Sequence, residues 1–205
     1  NIIDAEIDVL RQLGVEFKCG VNVGKDITIS QLREQGYKAF YIAIGAQNGR
    51  KLGIEGEELI GVKSGIEFLR GVNLGETNEI EGDTVVIGGG NVAVDVARAA
   101  MRLGNRKVKM VCLEKDEEMP TVPDEKDEAI AEGIEICNSW GSVRIIGENG
   151  KVTGVEFKRC IAIHDESGKF APAYDENDTI IIPCSNVYAA IGQSIAWDGL
   201  LDGTK

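Results

Sequence analysis

The sequence predicts an α/β protein with a doubly wound, Rossmann-like parallel sheet and a β-hairpin extension, and three observations support this class. Apolar strand-like runs alternate with segments whose apolar residues recur at helical spacing. The strand-like run 84–87 passes through three glycines into a helix-like segment. An Asn-Gly dipeptide at 149–150 lies between two further strand-like runs, which is typical of a hairpin turn.

The first part of the chain predicts two short helices and two strands. One helix begins at Asp4, a short strand covers residues 15–17, and a second helix begins at Ser30. Residues 39–45 form an apolar run that ends on glycine, which is typical of a strand covered on both faces. We therefore expect a central strand there.

The next part predicts a connection, a helix and a βαβ unit. Residues 46–58 are rich in glycine and charge, and Ser64 with Glu67 forms a capping box for the following helix. After a polar loop, the strand 84–87 leads through the glycines into a helix, and the run 108–113 completes the unit. The crossover of such a unit is right-handed.

In the last part of the chain, the spacing of apolar residues changes from the helical period to the alternation typical of strands. Thr121 caps a helix, and the runs 143–146 and 152–163 then form the hairpin around the Asn-Gly turn. We expect residues 164–178 to be a polar excursion and residues 186–192 to be a closing apolar strand.

Composition excludes several classes of partner. The formal net charge is −12 and the pI is about 4.6, which argues against nucleic acid and anionic membranes because both require basic patches. The five cysteines include no C-x-x-C pair, so we interpret them as reduced core residues of a cytoplasmic protein. The chain lacks an initiator Met, so we expect it to be a piece of a longer protein.

The glycine turn after the strand 84–87 predicts binding of a dinucleotide. Without side chains, backbone N–H groups approach a pyrophosphate closely, and the start of the following helix adds favourable partial charge. A purely structural βαβ turn is the alternative. The candidate residues are Gly88, Gly89, Gly90, Asn91, Val92 and Ala93.

An acidic residue at the end of the second strand indicates which dinucleotide is bound. The Glu114 carboxylate can accept hydrogen bonds from the ribose diol and would repel a 2′-phosphate, so we predict that NAD(H) is preferred over NADP(H). A solvated surface glutamate is the alternative, and the neighbouring Lys115 could partly offset the repulsion.

The remaining chemistry-bearing residues indicate no catalytic group and no metal site. His164, the only histidine, lies among polar residues and is interpreted as solvated. The acidic run from Glu114 to Glu128 has no metal-ligand spacing, and Trp140 and Trp197 are interpreted as packing anchors.

The order of motifs resembles the glutamate synthase small-subunit family of flavin-dependent pyridine-nucleotide oxidoreductases, whose pattern dihydropyrimidine dehydrogenase shares. The glycine turn with Asp95, the run Glu118-Met119-Pro120 and the linker-like segments 41–46, 53–56 and 190–193 carry the resemblance. It covers nearly the whole chain.

The resemblance implies a two-nucleotide enzyme in which hydride passes from the nicotinamide to FAD, and electrons then pass to iron–sulfur clusters or to a partner subunit. That partner would be an iron–sulfur protein or an amidotransferase. Residues 1–45 would be a flavin-domain segment with a crossing strand, 46–192 the NAD(P)(H) domain, and 193–205 the start of the return to the flavin domain. The residues implied near the nicotinamide are Ala190, Ile191, Gly192 and Gln193.

Two departures from the family pattern matter. The N-terminal cysteine-rich region and both flavin motifs are absent, so we expect FAD in the full-length protein only and an inactive fragment. The sequence Cys112-Leu113-Glu114-Lys115 stands where NADPH-using members typically place a Tyr-Arg-Arg-like sequence, and the missing arginine pair favours NADH.

Two other hypotheses remain. A non-catalytic module that senses NAD(H) for a partner would carry the same glycine turn. A thioredoxin-reductase-like enzyme is disfavoured because it requires a C-x-x-C pair, which the sequence lacks.

Overall fold

The computed structural model describes residues 2–104 and 107–203 and divides into two compact units. The smaller unit is drawn from Asn1–Gly45 and Ile195–Lys205, and the larger unit is Ala46–Ser194. None of the helices in the described ranges is both long and apolar enough to cross a membrane.

The elements of the described chain are five α-helices, one 3₁₀ helix and ten strands. In chain order they are α1 (Ile2–Gln12), α2 (Ile29–Glu34), β1 (Asn48–Gly49), β2 (Val62–Ser64), α3 (Gly65–Asn73), β3 (Thr84–Ile87), α4 (Asn91–Arg102), β4 (Val108–Val111), the 3₁₀ helix (Asp116–Glu118), α5 (Pro123–Ala131), β5 (Glu135–Cys137), β6 (Trp140–Glu148), β7 (Lys151–His164), β8 (Phe170–Pro183), β9 (Asn186–Ala189) and β10 (Gln193–Ser194).

The smaller unit contains two helices but lacks the strands predicted for it. Thr28 caps α2 through a complete capping box with Gln31, two residues before the predicted Ser30. The predicted strands at 15–17 and 39–45 are wrong, since neither segment is in a strand and Tyr41 is 93% exposed. An apolar run becomes a buried strand only where other strands satisfy its backbone groups, and the three sheets of the described chain are built from other segments.

The larger unit is organised around a five-stranded parallel sheet with the order β2-β9-β3-β4-β5. The strands β3 and β4 with α4 between them form the predicted βαβ unit. The chain leaves β3 towards β4 on one side and returns as β9 on the other, so the strand order reverses at β3. In open α/β sheets, ligands bind beyond the carboxyl ends of the strands at such a reversal.

The two faces of the parallel sheet are covered by different structures. Val86 and Tyr188 face a core shared with α3, α4 and α5, whereas Val85, Ile87 and Val187 face a core shared with the antiparallel sheet β6-β7-β8. Successive side chains of a strand point to opposite faces, which is why neighbouring valines enter different cores. The predicted α/β class is confirmed, with the antiparallel sheet on the face away from the helices.

The antiparallel sheet begins with the predicted hairpin and extends beyond it. Asn149 and Gly150 join β6 to β7 with φ values of 51° and 77°, as a type I′ turn requires. The polar excursion predicted at 164–178 is wrong, because β8 begins at Phe170 and pairs with β7 through a ladder that contains register shifts. Polar and apolar residues both occur in a strand that is exposed on one face.

Two predicted caps are also wrong. Ser64 precedes α3, but its side chain makes no capping hydrogen bond, and its buried hydroxyl has no hydrogen-bond partner among the described residues. The N-cap of α5 is Val122 rather than Thr121, with Pro123 in the first turn.

Candidate functional site

The glycine turn connects β3 to α4 at the carboxyl edge of the parallel sheet. Gly88 has a φ of 143°, and a β-carbon added to it would lie 2.4 Å from the carbonyl oxygen of Ala190. The amide of Gly88 donates to the carbonyl of Val111, and the amide of Ala190 donates to the carbonyl of Ile87. The turn is therefore held between the ends of β4 and β9, where only glycine fits at position 88.

The start of α4 combines an open backbone with one polar side chain. Gly90 is the N-cap, and a β-carbon there would meet no atom closer than 4.0 Å. The Asn91 side-chain oxygen accepts a hydrogen bond of 2.9 Å from the amide of Val122, which fixes the start of α5 next to the start of α4. The Asn91 side-chain amide nitrogen is a donor beside the N–H groups of Asn91 and Val92, which have no acceptor within an α-helix. The next amide, that of Ala93, donates to the carbonyl of Gly90 at 2.9 Å.

Glu114 lies against the glycine turn at the end of β4. A β-carbon added to Gly89 would lie 2.8 Å from Oε2 of Glu114 and 3.0 Å from Cβ of Cys112, so only the missing side chain allows this approach. The backbone carbonyl of Glu114 accepts hydrogen bonds from the amide of Ser139 at 2.9 Å and from Nδ2 of Asn138 at 3.2 Å. These bonds join the loop after β4 to the beginning of the antiparallel sheet.

The thiol of Cys112 lies beside this carboxylate. Burial, reinforced by the negative charge of Glu114, raises the pKa of the Cys112 thiol to about 12. It is therefore protonated at neutral pH and unsuited to nucleophilic chemistry. All five cysteines are free, and Cys19 is exposed rather than part of the predicted core.

The end of β9 is fixed by a second, smaller ladder. Gln193 pairs with Gly49 in the antiparallel sheet β1-β10, and the amide of Arg50 donates to the carbonyl of Gly192 at 3.0 Å. The Arg50 side chain runs alongside, because a β-carbon added to Gly192 would lie 3.4 Å from its Cδ. A guanidinium is thereby held beside the segment from Ala190 to Gln193.

One cleft of about 790 Å³ brings most of the predicted residues together. Its walls include residues 88–92, Glu114 and residues 190–193. Ala93 instead lies in the core on the helix side of the sheet with no exposed surface. Lys115 is exposed outside the cleft lining and lies 3.9 Å from Glu118.

The structure also adds residues that the sequence did not indicate. Arg50 and Lys51 bring positive charge to the cleft, and Trp140, Phe170 and Tyr174 bring aromatic rings. Trp140 is the predicted packing anchor, with the Arg159 guanidinium carbon 3.8 Å from its ring centre. The only sequence signal for Phe170 and Tyr174 was that they are apolar residues within a polar segment.

No cluster of His, Cys, Asp and Glu suited to a metal ion occurs in the described ranges 2–104 and 107–203. His164 is exposed at the end of β7, as expected of a solvated residue.

Comparison with known proteins gives consistent results. A family model described as pyridine nucleotide-disulphide oxidoreductase matches residues 3–200. The beta subunit of the NADP(+)-dependent formate dehydrogenase of Moorella thermoacetica is 34% identical over 198 residues, which are 95% of this chain and 28% of that protein. The NADPH glutamate synthase small chain of Halomonas elongata is 32% identical over 203 residues, which are 94% of this chain and 43% of that protein. The chain thus spans less than half the length of these relatives.

Solved structures share the fold. FprA of Mycobacterium tuberculosis in complex with NADPH superposes with a TM-score of 0.71 at 20% identity, covering 84% of this chain and 54% of that chain. The thioredoxin reductase of Lactococcus lactis superposes with a TM-score of 0.54 at 20% identity, covering 78% of this chain and 46% of that chain.

Proposed function

The chain belongs to the pyridine nucleotide-disulphide oxidoreductase family, whose members are FAD- and NAD(P)-dependent oxidoreductases, and we propose that the cleft of its larger unit binds a nicotinamide dinucleotide. One observation carries the proposal. The glycine turn, the start of α4, the carboxylate of Glu114 and the end of β9 all line a single cleft at the point where the strand order reverses.

The residues present fit a pyrophosphate at the start of α4. Gly90 leaves open space above the first turn, where the amide of Ala93 already donates to the carbonyl of Gly90. The N–H groups of Asn91 and Val92 have no acceptor within an α-helix and would face the pyrophosphate. The side-chain amide of Asn91 adds a donor. Arg50 and Lys51 line the same cleft and supply full positive charges, which a dianionic pyrophosphate requires.

Glu114 is proposed to accept hydrogen bonds from the adenosine ribose and thereby to favour NADH over NADPH. Its carboxylate approaches Gly89 closely and would repel a 2′-phosphate at the same place. The relatives named above carry NADP(+) or NADPH in their names, so the preference for NADH rests on this chain's own residues, namely Glu114 and the lack of an arginine pair beside it.

The intact enzyme is proposed to pass hydride from NADH or NADPH to FAD, and electrons onward to iron–sulfur clusters or a partner subunit. Residues 46–192 would be the NAD(P)(H) domain, while residues 1–45 and 193–205 would belong to a flavin domain. The compact unit Ala46–Ser194 supports this division. The bound dinucleotide supplies the hydride, and residues 190–193 would orient the nicotinamide. Because the described part of the smaller unit contains no glycine turn between a strand and a helix, we assign no flavin-binding residue here.

Separate titrations with NADH and NADPH test the proposal. Trp140 lines the cleft, and a Trp197→Phe background would leave it as the single tryptophan, so that its fluorescence reports binding. We expect saturable binding of both dinucleotides, with NADH the tighter. The variant Glu114→Gln should reduce the difference in affinity between NADH and NADPH, because it removes the negative charge and retains the size of the side chain.

Glu118→Gln is the matched control, since Glu118 is a nearby exposed carboxylate outside the cleft lining. If neither dinucleotide binds, the proposed function is wrong. If NADPH binds tenfold more tightly than NADH, a difference of about 1.4 kcal/mol, the role assigned to Glu114 is wrong.

A further inference from the structure

Three aromatic side chains line the cleft, and all three come from the antiparallel sheet. Trp140 is the first residue of β6, whereas Phe170 and Tyr174 are on β8. The rest of the cleft lining contains no aromatic side chain and includes the aliphatic Ile66 and Ile191 and the cationic Arg50. The flat π surfaces of the cleft are therefore supplied by the antiparallel sheet, and we call the part of the cleft that this sheet borders the aromatic end.

Backbone hydrogen bonds place this aromatic end beside Glu114. The amide of Trp140 donates to the carbonyl of Cys112 at 2.8 Å, one residue after Ser139 donates to Glu114. Ser139 has a φ of 62°, an uncommon conformation for a residue with a side chain, and it turns the chain from the parallel into the antiparallel sheet.

The outer parts of β7 and β8 form an arm that carries the other two rings. Cys160 pairs with Tyr174 and His164 pairs with Phe170, and the ladder between them contains register shifts. Bulges of this kind bend and twist a strand pair and redirect its side chains. The arm therefore need not follow the plane of the rest of the sheet, and its two aromatic residues reach the cleft wall.

Two of the three rings are fixed by packing, and the third is not. A β-carbon added to Gly141 would lie 2.3 Å from the Tyr174 ring, so this glycine makes room for the tyrosine, whose pKa is raised by burial. Trp140 is covered by Arg159, which is itself paired with Asp178 at 3.0 Å. Phe170 is 62% exposed on the cleft wall.

We propose that Phe170 and Tyr174 form the wall against which the adenine ring of the bound dinucleotide packs. The inference rests on the proposed function and adds a specific contact to it. Adenine is a flat aromatic ring that stacks on aromatic side chains, and a large exposed phenylalanine buries its apolar surface when such a ring covers it. With the pyrophosphate at the glycine turn and the ribose at Glu114, the adenine would lie at the aromatic end.

Three ligands separate this contact from the rest of the dinucleotide: NADH, ADP-ribose, which lacks nicotinamide, and reduced nicotinamide mononucleotide, which lacks adenosine. The variant Phe170→Ala should bind NADH and ADP-ribose about tenfold more weakly, and a loss of this size is within the range measured for base stacking on aromatic residues. Affinity for the mononucleotide should not change. Phe170→Tyr should retain the affinity of the original chain, because it keeps the ring.

Two control variants test whether the loss of affinity is specific to the ring of Phe170. Ile181→Ala truncates an exposed apolar residue of the same strand outside the cleft lining, and His164→Ala removes the edge contact that Phe170 makes at 6.2 Å between ring centres. Neither change should alter any affinity.

The proposed adenine wall is wrong if Phe170→Ala binds ADP-ribose like the original chain, while NADH binding by the original chain would still support the proposed function. It is also wrong if the variant loses affinity equally for all three ligands, because a stacking contact acts on adenosine alone. If the original chain binds none of them, both proposals fail.

Discussion

Replacing Gly88 by alanine is expected to destabilise the larger unit by about 2–6 kcal/mol. Two effects add. The φ of 143° is in a region that residues with a β-carbon rarely adopt, which costs about 1–3 kcal/mol. The new β-carbon would also lie 2.4 Å from the carbonyl oxygen of Ala190. That atom belongs to the backbone at the end of β9 and cannot rotate away, so we expect a further cost of about 1–3 kcal/mol, as for other overpacked sites.

Two other glycines separate these effects. Gly75 has a φ of 72° with open space around it, so Gly75→Ala should cost only the backbone term of about 1–2 kcal/mol. Gly90 has a φ of −94° and open space, so Gly90→Ala should cost under about 1 kcal/mol. Its methyl group would nevertheless occupy the proposed pyrophosphate position and should weaken dinucleotide binding by tenfold or more.

Urea denaturation followed by circular dichroism measures the three free energies of unfolding, and titration with NADH measures binding. If Gly88→Ala costs no more than Gly75→Ala, then Gly88 does not approach Ala190 as closely as the structure indicates. If Gly90→Ala binds NADH normally, the pyrophosphate does not lie at the start of α4.

Three further predictions concern side chains around the cleft and its supporting helices. Asn91→Asp keeps the acceptor for the Val122 amide but adds a negative charge, so NADH affinity should fall at least tenfold while the melting temperature changes little; equal affinity would exclude Asn91 from the pyrophosphate site. Hydrogen bonds from the arginines of α4 lower the pKa of Glu132, so this carboxylate stabilises the fold above its ordinary pKa and less as the pH falls through its lowered folded value. Glu132→Gln should therefore destabilise the protein at pH 7 and progressively less as the pH is lowered below the ordinary range of a carboxylate, and a loss of stability that does not change with pH would contradict the assignment. In native protein at pH 8, iodoacetamide should modify the exposed Cys19 but not Cys112 or Cys184, whose thiol pKa values burial raises to about 12; mass spectrometry before and after unfolding tests this, and rapid modification of Cys112 in native protein would contradict its burial.

The parts of the fold that were predicted correctly depend on local backbone chemistry. The turn at Asn149 and Gly150 requires positive φ at both positions, and few residues other than asparagine and glycine adopt it readily. The strand–glycine–helix unit around Gly88 is also determined by local sequence. The helix requires apolar residues at helical spacing, and the turn requires residues without side chains. These signals lie within a few residues of each other in the chain.

The incorrect predictions concern pairing between distant segments. Residues 39–45 have the composition of a buried strand but belong to none of the sheets in the described ranges. The segment 164–178 looked too polar for a strand, yet β7 pairs with it as β8. The short strands β2 and β5 were missed because three residues carry no measurable period, and their neighbours in the parallel sheet stabilise them.

The sequence by itself determined the α/β class, the glycine turn and the acidic residue that follows the second strand. Each is a local pattern with a direct physical requirement. Only the tertiary structure decided that Ala93 enters the core and Lys115 points away, while Arg50, Phe170 and Tyr174 join the cleft. Those positions depend on which strands become neighbours, and that choice is made by packing among residues more than a hundred positions apart, such as Gly88 and Ala190.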